Sequence, residues 1–171
     1  PEKPRKRHSI ITASRLAGEK HCDWIVEAVA KARTKVPDIS LDIYGKGGEE
    51  THIRNTIERL HCADCVRLMG HQNLDEVYKG YEAYVAASQS EGFGLTLMDA
   101  VGSGLPIIGF DVRYGNQTFI DQGKNGYKIK IEDEMDQKRK IELLAEYIVK
   151  MFTEDDMRLF SEHSYGKAKD Y

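Results

Sequence analysis

The stretch Ser90-Glu91-Gly92-Phe93-Gly94-Leu95-Thr96-Leu97-Met98-Asp99-Ala100 sets an acid and two glycines just before an apolar helical run, with a second acid further on. A loop that opens a helix in this way offers unpaired backbone N–H groups to an anion. The two acids can accept hydrogen bonds from hydroxyls. A ligand with phosphate in the middle and hydroxyls on either side, as in a nucleotide sugar, suits that mixture better than a small acid, a metal or a duplex. A second constellation, Thr12-Ala13-Ser14-Arg15-Leu16-Ala17-Gly18-Glu19-Lys20, places two cations on either side of a glycine just after an apolar run. There Arg15 is a planar fork and Lys20 a point charge, a pair able to clamp a diphosphate.

Both constellations need rigid elements behind them. Short apolar runs predict strands at Ser9–Ala13, Ser40–Tyr44, Val66–Met69, Ala83–Ala87, Pro106–Phe110 and Tyr127–Ile131. Helical patterns fall between them, at Cys22–Lys35, Glu50–Leu60, Leu74–Tyr81, Leu95–Gly102 and Gln117–Asp121. In the first, Trp24, Ile25, Ala28, Val29 and Ala32 recur at helical spacing and make one apolar face. From Met135 to Tyr171 the tail reads as helical, with Ile141, Leu144, Ala145, Ile148, Val149 and Phe152 as its packing stripe. Alternating hydrophobic strands and helices predict an α/β domain, a doubly wound parallel Rossmann-like sheet of about six strands. In such a sheet ligands bind beyond the carboxyl ends of the strands, where both constellations fall. Residues 1–8 read as a linker and 9–171 as one ligand-binding domain.

Arg15-x4-Lys20 followed by Glu91-Gly92-Phe93-Gly94-x4-Asp99 resembles the donor-binding C-terminal half of retaining glycosyltransferases of the two-Rossmann GT-B architecture, family four. Ile43-Tyr44-Gly45-Lys46-Gly47 is similar to that family's glycine loop after strand two. Leu68-Met69-Gly70-His71 is similar to its strand end beside the nucleotide base, and Gly104-Leu105-Pro106 and Lys124-Asn125-Gly126 to its later turns. The resemblance implies that Arg15 and Lys20 hold the diphosphate of a UDP-sugar donor and that Glu91 binds the sugar. Gly92, Phe93, Gly94, Leu95 and Thr96 would support sugar and phosphate, and Gly45, Gly70 and His71 would line the nucleotide. Asp99 would stand where the family's E-x7-E pattern has a ribose-binding glutamate, shorter in reach by roughly 1.5 Å. Arg113-Tyr114-Gly115-Asn116-Gln117-Thr118 also departs from the family's glycine pair and glutamate, and Asn116 or Thr118 is the expected helix cap there.

Tyr114-Gly115-Asn116-Gln117-Thr118-Phe119-Ile120 is similar to a narrower subgroup that places N-acetylglucosamine on serine or threonine of surface adhesins. It is similar as well to enzymes that glucosylate the poly(glycerol phosphate) of wall teichoic acid. By the resemblance the donor requires no metal or other cofactor. The expected partners are an N-terminal acceptor-binding domain of the same polypeptide and a homologous non-catalytic subunit. The expected setting is cytoplasmic, with peripheral contact at the inner membrane face through regions outside the chain. A non-catalytic nucleotide- or sugar-binding subunit is the rival reading.

The 171 residues carry 40% hydrophobic and 31% charged side chains, enough apolar material for a real core. A formal net charge of −3 gives no footprint for nucleic acid or an anionic membrane. Three cysteines at low density favour a reducing compartment. Cys62-Ala63-Asp64-Cys65 has clip spacing, but His21-Cys22 lies far off without a clip of its own, so buried thiols are the better reading than zinc. A dinucleotide fingerprint is missing, because the first strand runs into Ala13-Ser14-Arg15-Leu16-Ala17-Gly18 rather than G-x-G-x-x-G.

Overall fold

The computed structural model describes residues 3–89, 95–113 and 115–171, with the backbone alone for Leu95. Six strands form one sheet in the order β3-β2-β1-β4-β5-β6: β1 (Ser9–Ala13), β2 (Ser40–Tyr44), β3 (Val66–Gly70), β4 (Ala83–Val85), β5 (Ile107–Phe110) and β6 (Gly126–Ile129). Every pairing is parallel, with Ile11 opposite Asp42 on one side and Tyr84 on the other. The strand order reverses between β1 and β4. That is the switch point at which the crossovers diverge to opposite faces and leave a crevice at the carboxyl ends.

One face of the sheet is covered by α1 (Cys22–Ala32), α2 (Glu50–Arg59) and α5 (Gln137–Glu154). Trp24, Ile25, Ala28, Val29 and Ala32 all turn inward onto Ile10, Leu41, Ile43 and Val85, as their helical spacing requires. The other face is covered by α3 (Leu95–Gly102), α4 (Gly115–Phe119) and α6 (Met157–Ala168), around Ile11, Tyr84, Leu97, Ile107 and Phe119. Central strands covered on both faces explain why every residue of β1 is buried rather than every second one.

Several expected elements differ. The helix expected at Leu74–Tyr81 is a run of turns ending in a short 3-10 turn at Tyr78–Gly80. The carbonyls of Tyr78, Lys79 and Tyr81 accept from the Arg5 guanidinium and that of Gly80 from the Lys6 N–H, which fixes the segment to the chain's start. Residues 3–8, read as a linker, are therefore tied to the domain. Arg5 also donates to the Ser103 carbonyl at 2.6 Å and to the Tyr165 hydroxyl. The tail is helical as expected, in two helices, α5 and α6. Asp156 caps α6 by accepting from the Arg158 and Leu159 N–H groups, while Asp155 accepts from the Tyr127 hydroxyl. The helix expected at Gln117–Asp121 starts at Gly115, and Asn116 does not cap it: its side-chain amide donates inward to the Phe110 carbonyl at 2.8 Å. Cys62 and Cys65 are buried free thiols that donate to the Ile57 and Cys62 carbonyls. Burial pushes both thiols above their ordinary range. No helix among the described residues is long and apolar enough to cross a membrane.

Candidate functional site

The turn after β1 is built by backbone contact with the turn after β2. The Ser14 N–H donates to the Tyr44 carbonyl and the Leu16 N–H to the Lys46 carbonyl. Gly45 makes this approach possible. Its φ is +133°, and a Cβ there would stand 1.8 Å from the Ser14 carbonyl oxygen. The Gly45 N–H in turn donates to the carbonyl of Gly70, which ends β3 in a left-handed conformation. Three successive carboxyl-end turns are thus locked together, and the chain leaves β1 with Arg15 directed away from the core.

Two adjoining cavities lie along this rim. The smaller, of about 170 Å³, sits at the switch point and is lined by Arg15, Lys20, Ser88, Thr96 and the ends of β1 and β4. The larger, of about 710 Å³, extends over β2 and β3 and is lined by Arg15, Gly45, Lys46, His71, Gln72 and Thr96, among others. Its wall is mainly apolar, while the smaller cavity is where Arg15 and Lys20 come together. A charged group fits the first and a flat ring system the second.

Arg15 is three-quarters exposed, and its guanidinium meets the exposed Glu19 carboxylate at 3.3 Å. An exposed i,i+4 pair of this kind is worth little and yields readily to a better anion. Lys20 points into the same cavity. Thr96, in the first turn of α3, brings a helix N-terminus toward both cations. Sequence reasoning missed Tyr84. Its hydroxyl donates to the Ala13 carbonyl at 2.8 Å, accepts from the Ala13 N–H, and reaches the Thr96 hydroxyl at 3.4 Å. It joins β1, β4 and α3 under the cavity floor. A tyrosine in a short apolar strand was the available signal, but its direction could not be read without the register.

Of the expected site residues, Arg15, Lys20 and Thr96 meet at the smaller cavity, and Gly45 and His71 line the larger. Gly70 supports Gly45. Leu95 begins α3. Asp99 is exposed one turn beyond Thr96 and lines neither cavity. Partial desolvation, and secondarily the Asp75 carboxylate, raise its pKa above the usual aspartate range. Glu91, Gly92, Phe93 and Gly94 lie outside the described residues. The flanking Ser88 and Thr96 open onto the cavity that holds Arg15 and Lys20.

A parallel six-stranded sheet with a cationic crevice at its switch point defines a Rossmann-like ligand-binding domain of the GT-B type. The sequence matches the family described as Glycosyl transferases group 1 over residues 1–148, and the chain belongs to that family. A UDP-N-acetylglucosamine--peptide N-acetylglucosaminyltransferase GtfA subunit of Streptococcus gordonii is 53% identical over 171 residues, covering 100% of this chain and 34% of that protein. The crystal structure of the pneumococcal O-GlcNAc transferase GtfA in complex with UDP and GlcNAc is similar with a TM-score of 0.96 at 47% identity. It covers 98% of this chain and 33% of that one. The crystal structure of a GtfA/B complex gives a TM-score of 0.95 at 53% identity, covering 100% of this chain and 34% of its counterpart. The chain spans about a third of the length of the curated relatives it matches.

Proposed function

We propose that this chain is the donor-binding half of a retaining family-four glycosyltransferase that transfers N-acetylglucosamine from its UDP ester to serine or threonine hydroxyls of a peptide. The observation that carries the reading is the meeting of Arg15, Lys20 and the first turn of α3 on one cavity at the β1–β4 switch point. The names of the relatives, a peptide N-acetylglucosaminyltransferase and a structure holding UDP and GlcNAc, support the choice of sugar and acceptor.

In this reading the pyrophosphate lies in the smaller cavity and the nucleoside extends over Gly45 and His71. Glu91 binds sugar hydroxyls, and Asp99 accepts from the ribose directly or through a water. Bond cleavage at the anomeric carbon leaves negative charge on the departing diphosphate. Arg15, Lys20 and the α3 N-terminus stabilise that charge as it grows. In front-face retention the departing phosphate oxygen takes the acceptor's proton, so the domain's task is to orient and to neutralise. Two side-chain cations supply that neutralisation, so we expect donor affinity to be the same with and without EDTA.

The acceptor half and the closed cleft belong to the longer polypeptide, in which a homologous partner subunit would assist. A cytoplasmic setting follows from the cytosolic supply of nucleotide sugars. The 171 residues alone are expected to bind donor and to transfer nothing. Calorimetry of the chain with UDP-GlcNAc, UDP-glucose and GDP-mannose tests the donor. A preference for UDP-glucose, with transfer to poly(glycerol phosphate) by the longer protein, would replace the peptide acceptor by wall teichoic acid. Donor binding without transfer or donor hydrolysis by the longer protein would leave the rival non-catalytic reading, and absence of binding to any of them would overturn the donor reading.

A further inference from the structure

Directly after Lys20, His21 takes a left-handed backbone conformation, φ 50° and ψ 41°, at the start of α1. Its ring stacks on Trp24 with centroids 3.7 Å apart and planes 10° from parallel. The Nε2 atom lies 3.5 Å from the side-chain nitrogen of Gln89, the residue between cavity-lining Ser88 and the glutamate–glycine loop. The Gln89 oxygen accepts from Lys140 Nζ at 2.6 Å, and that ammonium stands 6.0 Å from the centre of the Trp24 ring.

Lysine donates only, so the Gln89 oxygen must face Lys140 and the amide NH2 must face His21. That NH2 can donate to His21 only where Nε2 is bare, so the link requires a neutral imidazole. The chain Lys140 to Gln89 to His21 therefore ties α5 and the β4–α3 loop to the turn carrying Lys20. This link runs behind the site rather than through it, because none of the three residues lines either cavity.

We propose that His21 and Gln89 are positioning residues that hold the Lys20 turn and the loop after β4 at the spacing a sugar-nucleotide diphosphate requires, and that protonation of His21 releases that spacing. The inference rests on the donor reading above. The groups that face His21 are Asp23 of α1 and Glu19 of the preceding turn, which favour its protonation, and Lys140 of α5, which opposes it. Burial is the largest influence and lowers the imidazole below its ordinary value, so the linked form prevails at neutral pH.

The test is calorimetry of the chain with UDP-GlcNAc from pH 5 to 8. The pyrophosphate diester of that donor stays ionised across the range. Wild type should bind about fivefold more weakly at pH 5 than at pH 8, the size of a modest coupling between sites. His21→Asn keeps a short acceptor in a residue that tolerates the left-handed conformation, and should flatten the profile. Gln89→Glu replaces the NH2 by an acceptor that an imidazolium N–H can satisfy, so protonation of His21 no longer breaks the link and the loss of affinity in acid should disappear. A wild-type profile that His21→Asn reproduces would overturn the proposal, as would tighter binding in acid. No binding at any pH would instead defeat the donor reading.

Discussion

Arg5 and Arg15 are the same side chain put to opposite uses. Arg5 donates to backbone carbonyls at both ends of the 78–81 segment and at the end of α3, and to the Tyr165 hydroxyl. Its fork is fully occupied by the protein. Arg15, in contrast, meets one exposed carboxylate four residues away and otherwise faces the cavity. An arginine saturated by carbonyls holds a fold together. One held loosely at a strand's carboxyl end keeps most of its donors for a ligand. The difference is in hydrogen-bond occupancy, which the two residues' sequence neighbourhoods do not reveal.

Gly45 offers the most severe way to break this separation, because fold and site coincide there. Gly45→Ala forces a methyl into the Ser14 carbonyl at a backbone angle that L side chains rarely adopt. We expect a loss of about 3 kcal/mol in urea unfolding, together with donor binding too weak for calorimetry. Retained affinity would show that the β1 turn does not depend on its contact with β2.

Arg15→Ala and Arg5→Ala should then separate cleanly. Removing Arg15 should weaken UDP-GlcNAc about ten- to a hundredfold, the worth of a charge-assisted bond. The melting temperature should barely move, as for most surface changes. Removing Arg5 should do the reverse. Several carbonyls lose their donor, costing about 2 kcal/mol, or roughly 4–8 °C in melting temperature for a chain of this size, while donor affinity is retained. Equal effects of the two substitutions in both assays would erase the distinction.

Much of the fold was legible because burial left few alternatives. Ile10, Ile11, Leu41 and Ile43 lie in runs that no amphipathic helix would present, and β1 and β2 begin and end where the runs do. The segment 74–81 was misread because its apolar residues, Leu74, Val77, Tyr78 and Tyr81, are equally compatible with a helix. What decided the matter was Arg5, distant in sequence, together with the buried Asp42. The Tyr81 hydroxyl donates to that carboxylate, which Arg67 also clasps through two nitrogens. The site was legible where it consists of one loop, as with Arg15 and Lys20. It was illegible where it needs register, as with Tyr84 between Ala13 and Thr96, or the contact of His21 with Gln89.

Asp99 sharpens the comparison at its weakest point, since it is neither bonded like Arg5 nor open to the cavity like Arg15. Its folded pKa is raised, so the carboxyl takes up its proton at higher pH than an ordinary aspartate as acid is added. Only the ionised form is a pure acceptor for ribose hydroxyls. Donor affinity should therefore fall as pH drops through that raised value, in a window starting above the usual aspartate range. Followed below pH 5, beneath the range of the His21 test, this fall should persist in His21→Asn and vanish in Asp99→Asn. Asp99→Glu adds roughly 1.5 Å of reach and should tighten UDP binding by about threefold, because a water-bridged contact loses little to a direct one. A larger gain would mean that aspartate does not reach the ribose even through water. No change, together with a flat profile in acid, would place the ribose away from α3.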